Sequence, residues 1–255
     1  MVTSSPVDTL EGLTAIVTGA GSGIGLATAR QLSSQGARVF GFDLVEGEMA
    51  GDAEWVSCDI GVTESVASAM EVVTARAGRL DILINNAGVG AIGSIEAATD
   101  DEWARVLNIN VVGIARVTSA AMSLLRRSSV AAVVNTCSVA AAVGLPDRAV
   151  YTASKGAVQA LTMAMAADYL REGIRVNCVN PGTADTPWVT RLLDQSEDPI
   201  AERSALEKRQ PSGRLVSADE VASAICFLAN PRQEAITGTV LAVDGGMASL
   251  RIRAE

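Results

Sequence analysis

There is no histidine in these 255 residues. That absence removes Ser–His and Cys–His hydrolases and every His-ligated zinc or iron centre. Lysine and tyrosine occur only twice each, and aromatic residues make up 3% of the chain. A core must therefore be assembled from Val, Ile, Leu and Ala. Cys58, Cys137, Cys178 and Cys226 stand far apart with no CxxC spacing, so they read as buried reduced thiols and no metal site is expected. No stretch offers the roughly 20 consecutive apolar residues of a membrane span. The opening residues MVTSSPVDTLEG have neither a positive n-region nor an apolar segment, and the expectation is a soluble, cytoplasmic protein. Basic charge is also short, 20 Lys and Arg against 29 Asp and Glu for a formal net charge of −9. A nucleic-acid or anionic-membrane partner would need a basic face. Proton chemistry is left to Tyr, Lys, Asp, Glu and Cys.

Short β-branched runs alternate with alanine-rich helical patterns from end to end, with no linker between them. This predicts one α/β domain over residues 1–255, with a parallel sheet covered on both faces. Residues 13–18 (LTAIVT) form an apolar run leading into Gly19-Ala20-Gly21-Ser22-Gly23-Ile24-Gly25, and a helical pattern over 24–35 follows. Strand, glycine-rich turn and helix is the setting in which backbone N–H groups approach a pyrophosphate. A second strand over 38–42 ends at Asp43, where a carboxylate can accept both ribose hydroxyls and repel a 2′-phosphate. Neither Ser22 nor Leu44 is basic, which favours NAD over NADP. Strands are also expected over 53–57, with Asp59 placed to meet an adenine, over 80–84, ending in Asn85-Asn86-Ala87-Gly88, and over 130–136, with Ser138 two residues on. Asp100–Leu125 reads as one long amphipathic helix, and its mid-helix Asn108 and Asn110 cost propensity, so one of them needs a reason. A strand over 174–179 leads to Asn180-Pro181-Gly182. Residues 183–213 are polar and irregular or weakly helical, too long for an ordinary connection and suited to a binding loop. A helix capped by Ser217 and a last strand over 239–243 complete the pattern.

The helix over 149–166 (AVYTASKGAVQALTMAMA) carries Tyr151 and Lys155 four residues apart, on one face. A phenol ordinarily titrates near ~10 and is a poor acid or base at neutral pH. A cation beside its oxygen favours the phenolate. A packed tyrosine with a snorkelling lysine is the alternative for the pair taken alone.

Together these motifs, TGAGSGIG (18–25), NNAG (85–88), Asn110 in NINVVG, Ser138, YTASK (151–155) and NPG (180–182), resemble the short-chain dehydrogenase/reductase family over about residues 10–247. The resemblance implies a Rossmann-type doubly wound sheet of about seven parallel strands with helices on both faces. It implies an enzyme passing hydride between NAD and a secondary alcohol or carbonyl. Tyr151 would be the general acid/base, and Lys155 would tune it and hold the nicotinamide ribose. Ser138 would donate to the carbonyl oxygen, and Asn110 would anchor a water joining Lys155 to solvent. Cofactor contacts would come from Gly19, Gly21, Ser22, Gly23, Ile24, Gly25, Asp43, Asp59, Ile60, Asn86, Ala87, Gly88, Pro181, Gly182 and Thr186. The substrate loop would be about 183–215, with Trp188, Arg191 and Arg148 as candidate substrate contacts; a packing role for Trp188 and a solvated one for Arg148 stay open. The wording around residues 178–193 is similar to a subgroup that oxidises sugars and sugar acids. A carrier-protein reductase, a cyclic-alcohol or steroid dehydrogenase and a non-catalytic NAD sensor are the alternatives, and the family implies a homotetramer.

Overall fold

The computed structural model describes residues 9–194 and 196–252. Seven strands form one sheet in the order β3-β2-β1-β4-β5-β6-β9, with every pairing parallel. They are β1 (Thr14–Thr18), β2 (Arg38–Asp43), β3 (Glu54–Ser57), β4 (Ile82–Asn85), β5 (Ala132–Thr136), β6 (Arg175–Pro181) and β9 (Val240–Val243). On one face lie α1 (Gly23–Ser34) and α8 (Ala218–Ala229). On the other lie α2 (Thr63–Arg76), α4 (Gly113–Leu125) and α5 (Ala149–Tyr169).

Side-chain alternation along the strands explains the two layers. Ile16, Leu83 and Val133 point to the α2–α4 side, while Val17, Ile82, Ile84 and Val134 point to the α1–α8 side. Both sets are apolar because both faces are covered, which is why the strands read as continuous hydrophobic runs. Each such side chain taken fully out of water contributes about 2 kcal/mol.

Successive strands β1, β2 and β3 build outward on one side. Strand β4 then starts on the other side of β1. At that reversal the carboxyl ends of β1 and β4 leave a crevice between them, the usual ligand position in open parallel sheets.

The predicted single helix Asp100–Leu125 is continuous but not uniform. It runs as α3 (Asp100–Leu107), a π-helical turn over Asn108–Val112, then α4. By length and composition it is also the one described helix long and apolar enough to cross a membrane. Here Ile114, Val117, Ala121, Leu124 and Leu125 on it are buried against the protein. Over 183–213, read as irregular or weakly helical, the chain forms β7 (Ala184–Asp185) and two short helices, α6 (Pro187–Leu193) and α7 (Pro199–Lys208), and β8 (Val216–Ser217) follows. Val189, Leu193, Leu206 and Leu215 give this segment a small core of its own. Ser217 caps α8 as expected, in a reciprocal pair with Glu220.

A buried polar ladder ties the two central strands to the helices that carry the site. Asn85 Nδ2 donates to Thr118 Oγ1 (3.0 Å) and Asn135 Oδ1 (2.9 Å), and Asn135 Nδ2 donates to Thr162 Oγ1 (2.8 Å). Strands β4 and β5 are thereby fixed to α4 and α5 at the level of the crevice. Truncating Asn135 leaves a buried donor on Asn85 and a small void. Asn135→Ala is expected to lower unfolding stability by about 2 kcal/mol, read from urea denaturation; a loss below about 0.5 kcal/mol would show that the ladder does not hold these layers together.

Candidate active site

Six strand ends converge on one cavity of ≈ 440 Å³. After β1 the chain turns through Gly19 (φ 66°) and Gly23 (φ 55°), both in the left-handed region that glycine adopts without strain. Gly25 meets a different limit, since a β-carbon there would lie 1.9 Å from the Gly19 carbonyl oxygen. The turn is locked to β4 by reciprocal bonds. The Thr18 hydroxyl accepts from the N–H groups of Asn86 (2.9 Å) and Ala87 (3.0 Å), and Asn86 Nδ2 donates to the Thr18 carbonyl (3.1 Å).

Asp43, at the tip of β2, accepts from the Gly21 N–H (2.9 Å) and the Leu44 N–H (2.7 Å). Each carboxylate oxygen keeps acceptor capacity toward the cavity it lines. Asp59 follows β3 and accepts from the Gly61 N–H at 2.8 Å. The acids of the cavity therefore stand on the β2–β3 side.

The other end of the cavity is built from α5 and the loop after β5. Tyr151 and Ser138 both line it. The Ser138 oxygen accepts from the Ala140 N–H at 3.1 Å, which leaves its own proton to donate. Lys155 is 6% exposed. Its ammonium donates to the Thr136 carbonyl at 2.9 Å and lies 5.7 Å from the centre of the Tyr151 ring. Asn110 sits in the π-helical turn, where single-turn π distortions commonly mark functional positions. Its amide donates to the Val89 carbonyl (2.9 Å) and Ser154 Oγ (3.0 Å), and its oxygen accepts from the Val89 N–H (2.8 Å). A β-carbon on Gly88 would fall 3.1 Å from that oxygen and 3.7 Å from the Lys155 nitrogen. A side chain at this position would therefore crowd Asn110. Asn108 also has a reason for its place, donating to the Gly61 carbonyl and accepting from Arg116.

Behind Ser138, the Cys137 thiol donates to the Lys155 carbonyl at 3.0 Å. Its hydrogen bond with the Cys178 thiol, helped by the Lys155 charge, draws Cys137 below the usual thiol range. The same bond, with burial, pushes Cys178 up. All four thiols are free and buried.

The segment after β6 closes over the cavity. Thr186 approaches the glycine turn, 3.5 Å from where a Gly23 β-carbon would be, and the Trp188 indole lies against Gly90. Trp188 touches Gly90 on one side, is 41% exposed, and lines the cavity, so both of its readings stand. Arg148, Arg191 and Arg209 also line it. None of the three is in an ion pair among the described residues. Burial, and after it the Arg209 charge, holds Arg148 below the usual guanidinium range.

Most of the residues singled out from sequence meet in this space: Gly19, Ser22, Gly23, Ile24, Asp43, Asp59, Ile60, Asn86, Ala87, Gly88, Ser138, Arg148, Tyr151, Pro181, Gly182, Thr186, Trp188 and Arg191. Gly21, Gly25, Asn110 and Lys155 are not among the lining residues but adjoin ones that are, Asp43, Gly19, Val89 and Tyr151 respectively. Sequence reasoning missed Leu145, Leu206 and Arg209 among the lining residues. No motif marks them, and only the fold of the 183–217 segment carries Leu206 and Arg209 to the site. Backbone approach at the glycines, a strand-tip carboxylate and a cavity running from it to Tyr151 suit an extended dinucleotide.

A family model described as Enoyl-(Acyl carrier protein) reductase matches residues 19–248. The chain is 39% identical to a cis-4-hydroxycyclohexanecarboxylate dehydrogenase of Sinomonas cyclohexanicum, over 91% of this chain and 95% of that one. It is 41% identical to a protein of Xanthobacter autotrophicus named inactive 2-(S)-hydroxypropyl-CoM dehydrogenase 2, over 78% and 87% of the two chains. Among solved structures, the ligand-free aldohexose dehydrogenase of Thermoplasma acidophilum superposes with a TM-score of 0.91 at 32% identity, covering 96% of this chain and 98% of that one. A nicotinamide nucleotide is the cofactor that such a sheet and such relatives share. The seven-stranded parallel sheet, the glycine turn and these matches agree, and the chain belongs to the short-chain dehydrogenase/reductase family of oxidoreductases.

Proposed function

We propose that this chain is an NAD-dependent oxidoreductase that interconverts a secondary alcohol and its ketone, with Tyr151, Lys155, Ser138 and Asn110 as its proton-handling set. The observation that carries the reading is that Tyr151 and Ser138 face the same cavity as the glycine turn and Asp43, with the Lys155 ammonium behind the phenol ring. The nicotinamide supplies hydride acceptance and donation when bound. The glycine turn, Asp43, Asp59 with Ile60, the 86–88 segment, Pro181–Gly182 and Thr186 would hold that cofactor.

Every remaining step belongs to the chain. Loss of hydride from a carbinol carbon yields a carbonyl only if the hydroxyl proton leaves too. Tyr151 takes that proton, and its charge is offset by the Lys155 ammonium. Ser138 donates to the same oxygen and stabilises the charge that develops on it. Asn110 would anchor a water that carries the proton onward from Lys155. Asp43, with neither Ser22 nor Leu44 basic, favours a free ribose over a phosphorylated one.

Sugars and sugar acids come first among substrates, in keeping with the aldohexose dehydrogenase likeness. Cyclic alcohols come second, favoured by the relative that acts on a hydroxycyclohexane ring. A carrier-protein reductase is disfavoured by the net charge of −9, because such a partner is itself acidic. The relative named inactive keeps a non-catalytic NAD-binding role as the counter-hypothesis. Four free thiols suit a reducing, cytoplasmic setting. Val112 and Met163, large apolar side chains about half exposed near the α4 and α5 surfaces, are consistent with assembly as a homotetramer.

Tyr151→Phe is expected to reduce kcat at least about 1,000-fold while NADH still binds, as followed by NADH absorbance and fluorescence on a panel of aldoses, aldonates and cyclic alcohols. Near-normal turnover by that variant would remove the proton-transfer assignment, and an inactive wild type that binds NADH would favour the sensor role. Asp43→Ala is expected to lower the NAD over NADP preference about 10-fold or more; an unchanged ratio of kcat/KM values places ribose reading elsewhere. In size-exclusion chromatography with light scattering the protein is expected at four times the 26.2 kDa chain mass, and elution as a monomer at moderate salt would rule the assembly out.

A further inference from the structure

We propose that the Tyr151 end of the cavity is an organic-anion site, and that the alcohol or ketone handled there bears a carboxylate received between Arg148 and Arg209, with Arg191 lining the same space. The inference rests on the reading of Tyr151 as the proton-transfer residue and names the class of molecule that residue meets.

Charge is the first argument. Among the described residues Arg30, Arg38, Arg76, Arg79, Arg126, Arg203 and Arg214 pair with acids, while the three cavity arginines do not, and neither do Arg105, Arg116, Arg127, Arg171, Arg175 and Arg251. What distinguishes the cavity three is that they line one cavity together, with no acid of that cavity on their side. Arg148 is half-buried, and its guanidinium has one hydrogen bond, to the Asp147 carbonyl at 3.1 Å. A guanidinium carries five donors in a planar fork. Arg148 and Arg209 line the same cavity and their charges repel, and an entering carboxylate relieves that repulsion while taking paired N–H bonds.

Placement is the second argument. Arg148 is held where it is at some cost, because Asp147 before it adopts φ 53°, a left-handed conformation that a non-glycine residue enters with strain. The Gly93 N–H donates to the Asp147 carbonyl (2.9 Å) and the Ala149 N–H to the Gly93 carbonyl (3.2 Å), pinning the segment. Arg148 is the residue just before α5 and Tyr151 lies in its first turn, and both line the same cavity. A molecule whose hydroxyl meets Tyr151 and whose carboxylate meets Arg148 can therefore be small. Arg209 arrives from the end of α7, anchored by the buried Gln210 beside it, whose amide donates to the Arg214 carbonyl at 2.7 Å. The glycine turn offers the cofactor's phosphates backbone N–H groups of its own.

Titration calorimetry of the protein–NADH complex with cyclohexanecarboxylate and cyclohexanecarboxamide reads the site without turnover. The carboxylate is expected to bind about 10-fold or more tightly than the amide. The pair Arg148→Gln and Arg209→Gln is expected to bring that ratio near one. Equal affinities in the wild type, or no carboxylate binding, would overturn the proposal whether or not the double variant folds. So would a double variant that keeps the ratio and instead raises the KM for NAD, since the arginines would then serve the cofactor's phosphates. Tyr151→Phe separates this inference from the reaction it rests on. If that variant still turns over, the reaction reading fails while the anion preference stands; if the wild type oxidises neutral alcohols and hydroxy acids alike, the reverse holds.

Discussion

The arrangement depends on one buried cation. Lys155 is 6% exposed and has no carboxylate at ion-pair distance among the described residues. Removing an ammonium from water without a counter-ion is expensive, so something must compensate for it. The Thr136 carbonyl at the end of β5 supplies one partial charge, and the Tyr151 ring, 5.7 Å away, supplies a weaker one. A phenolate or a ribose hydroxyl arriving beside it would supply more. A residue held in this state is poised to stabilise negative charge, which is the physical content of the catalytic proposal.

That constraint explains why the surrounding frame is polar where a core would ordinarily be apolar. Lys155 can keep its bond to Thr136 only if α5 cannot slide along β5. The Asn85–Asn135–Thr162 ladder sets this register within the protein, where hydrophobic contacts alone are tolerant of small shifts. Asn110 does the same from above, gripping Val89 by both its N–H and C=O and Ser154 on α5. The π-helical turn at Asn108–Val112 turns one residue toward that loop without ending the helix. Three small adjustments in different elements therefore serve a single nitrogen.

How much of this was legible in the sequence follows from how local each cause is. The glycine turn, the strand-tip Asp43 and the i, i+4 spacing of Tyr151 and Lys155 are set within a few residues, and their patterns read directly. Ser217 as a helix cap is equally local. The two asparagines of NINVV marked this part of the helix as unusual, but the π-helical turn itself was not readable, because the partners of those side chains, Gly61 and Val89, lie well away along the chain. Residues 183–213 read as irregular or weakly helical because α6 and α7 are short; the helices are held where Val189, Leu193, Leu206 and Leu215 find one another in space. Arg209 could not be singled out at all, since only the fold brings it to the cavity that Arg148 lines.

The same segment shows how the charge of the molecule is divided. The chain as a whole is acidic, and the β2–β3 side of the cavity follows that trend with Asp43 and Asp59. The α5–α7 side reverses it with three arginines. A field of this shape orients whatever enters: an anionic head turns toward the arginines, and a neutral ribose meets the acids without competing for them. Arg191 and Arg209 ride on α6 and α7, whose small core is separate from the main one, so the positive end of the field sits on a separately packed segment. An anion bridging Arg209 to Arg148 would tie that part to α5, so the contact that recognises the substrate would also close the site around it.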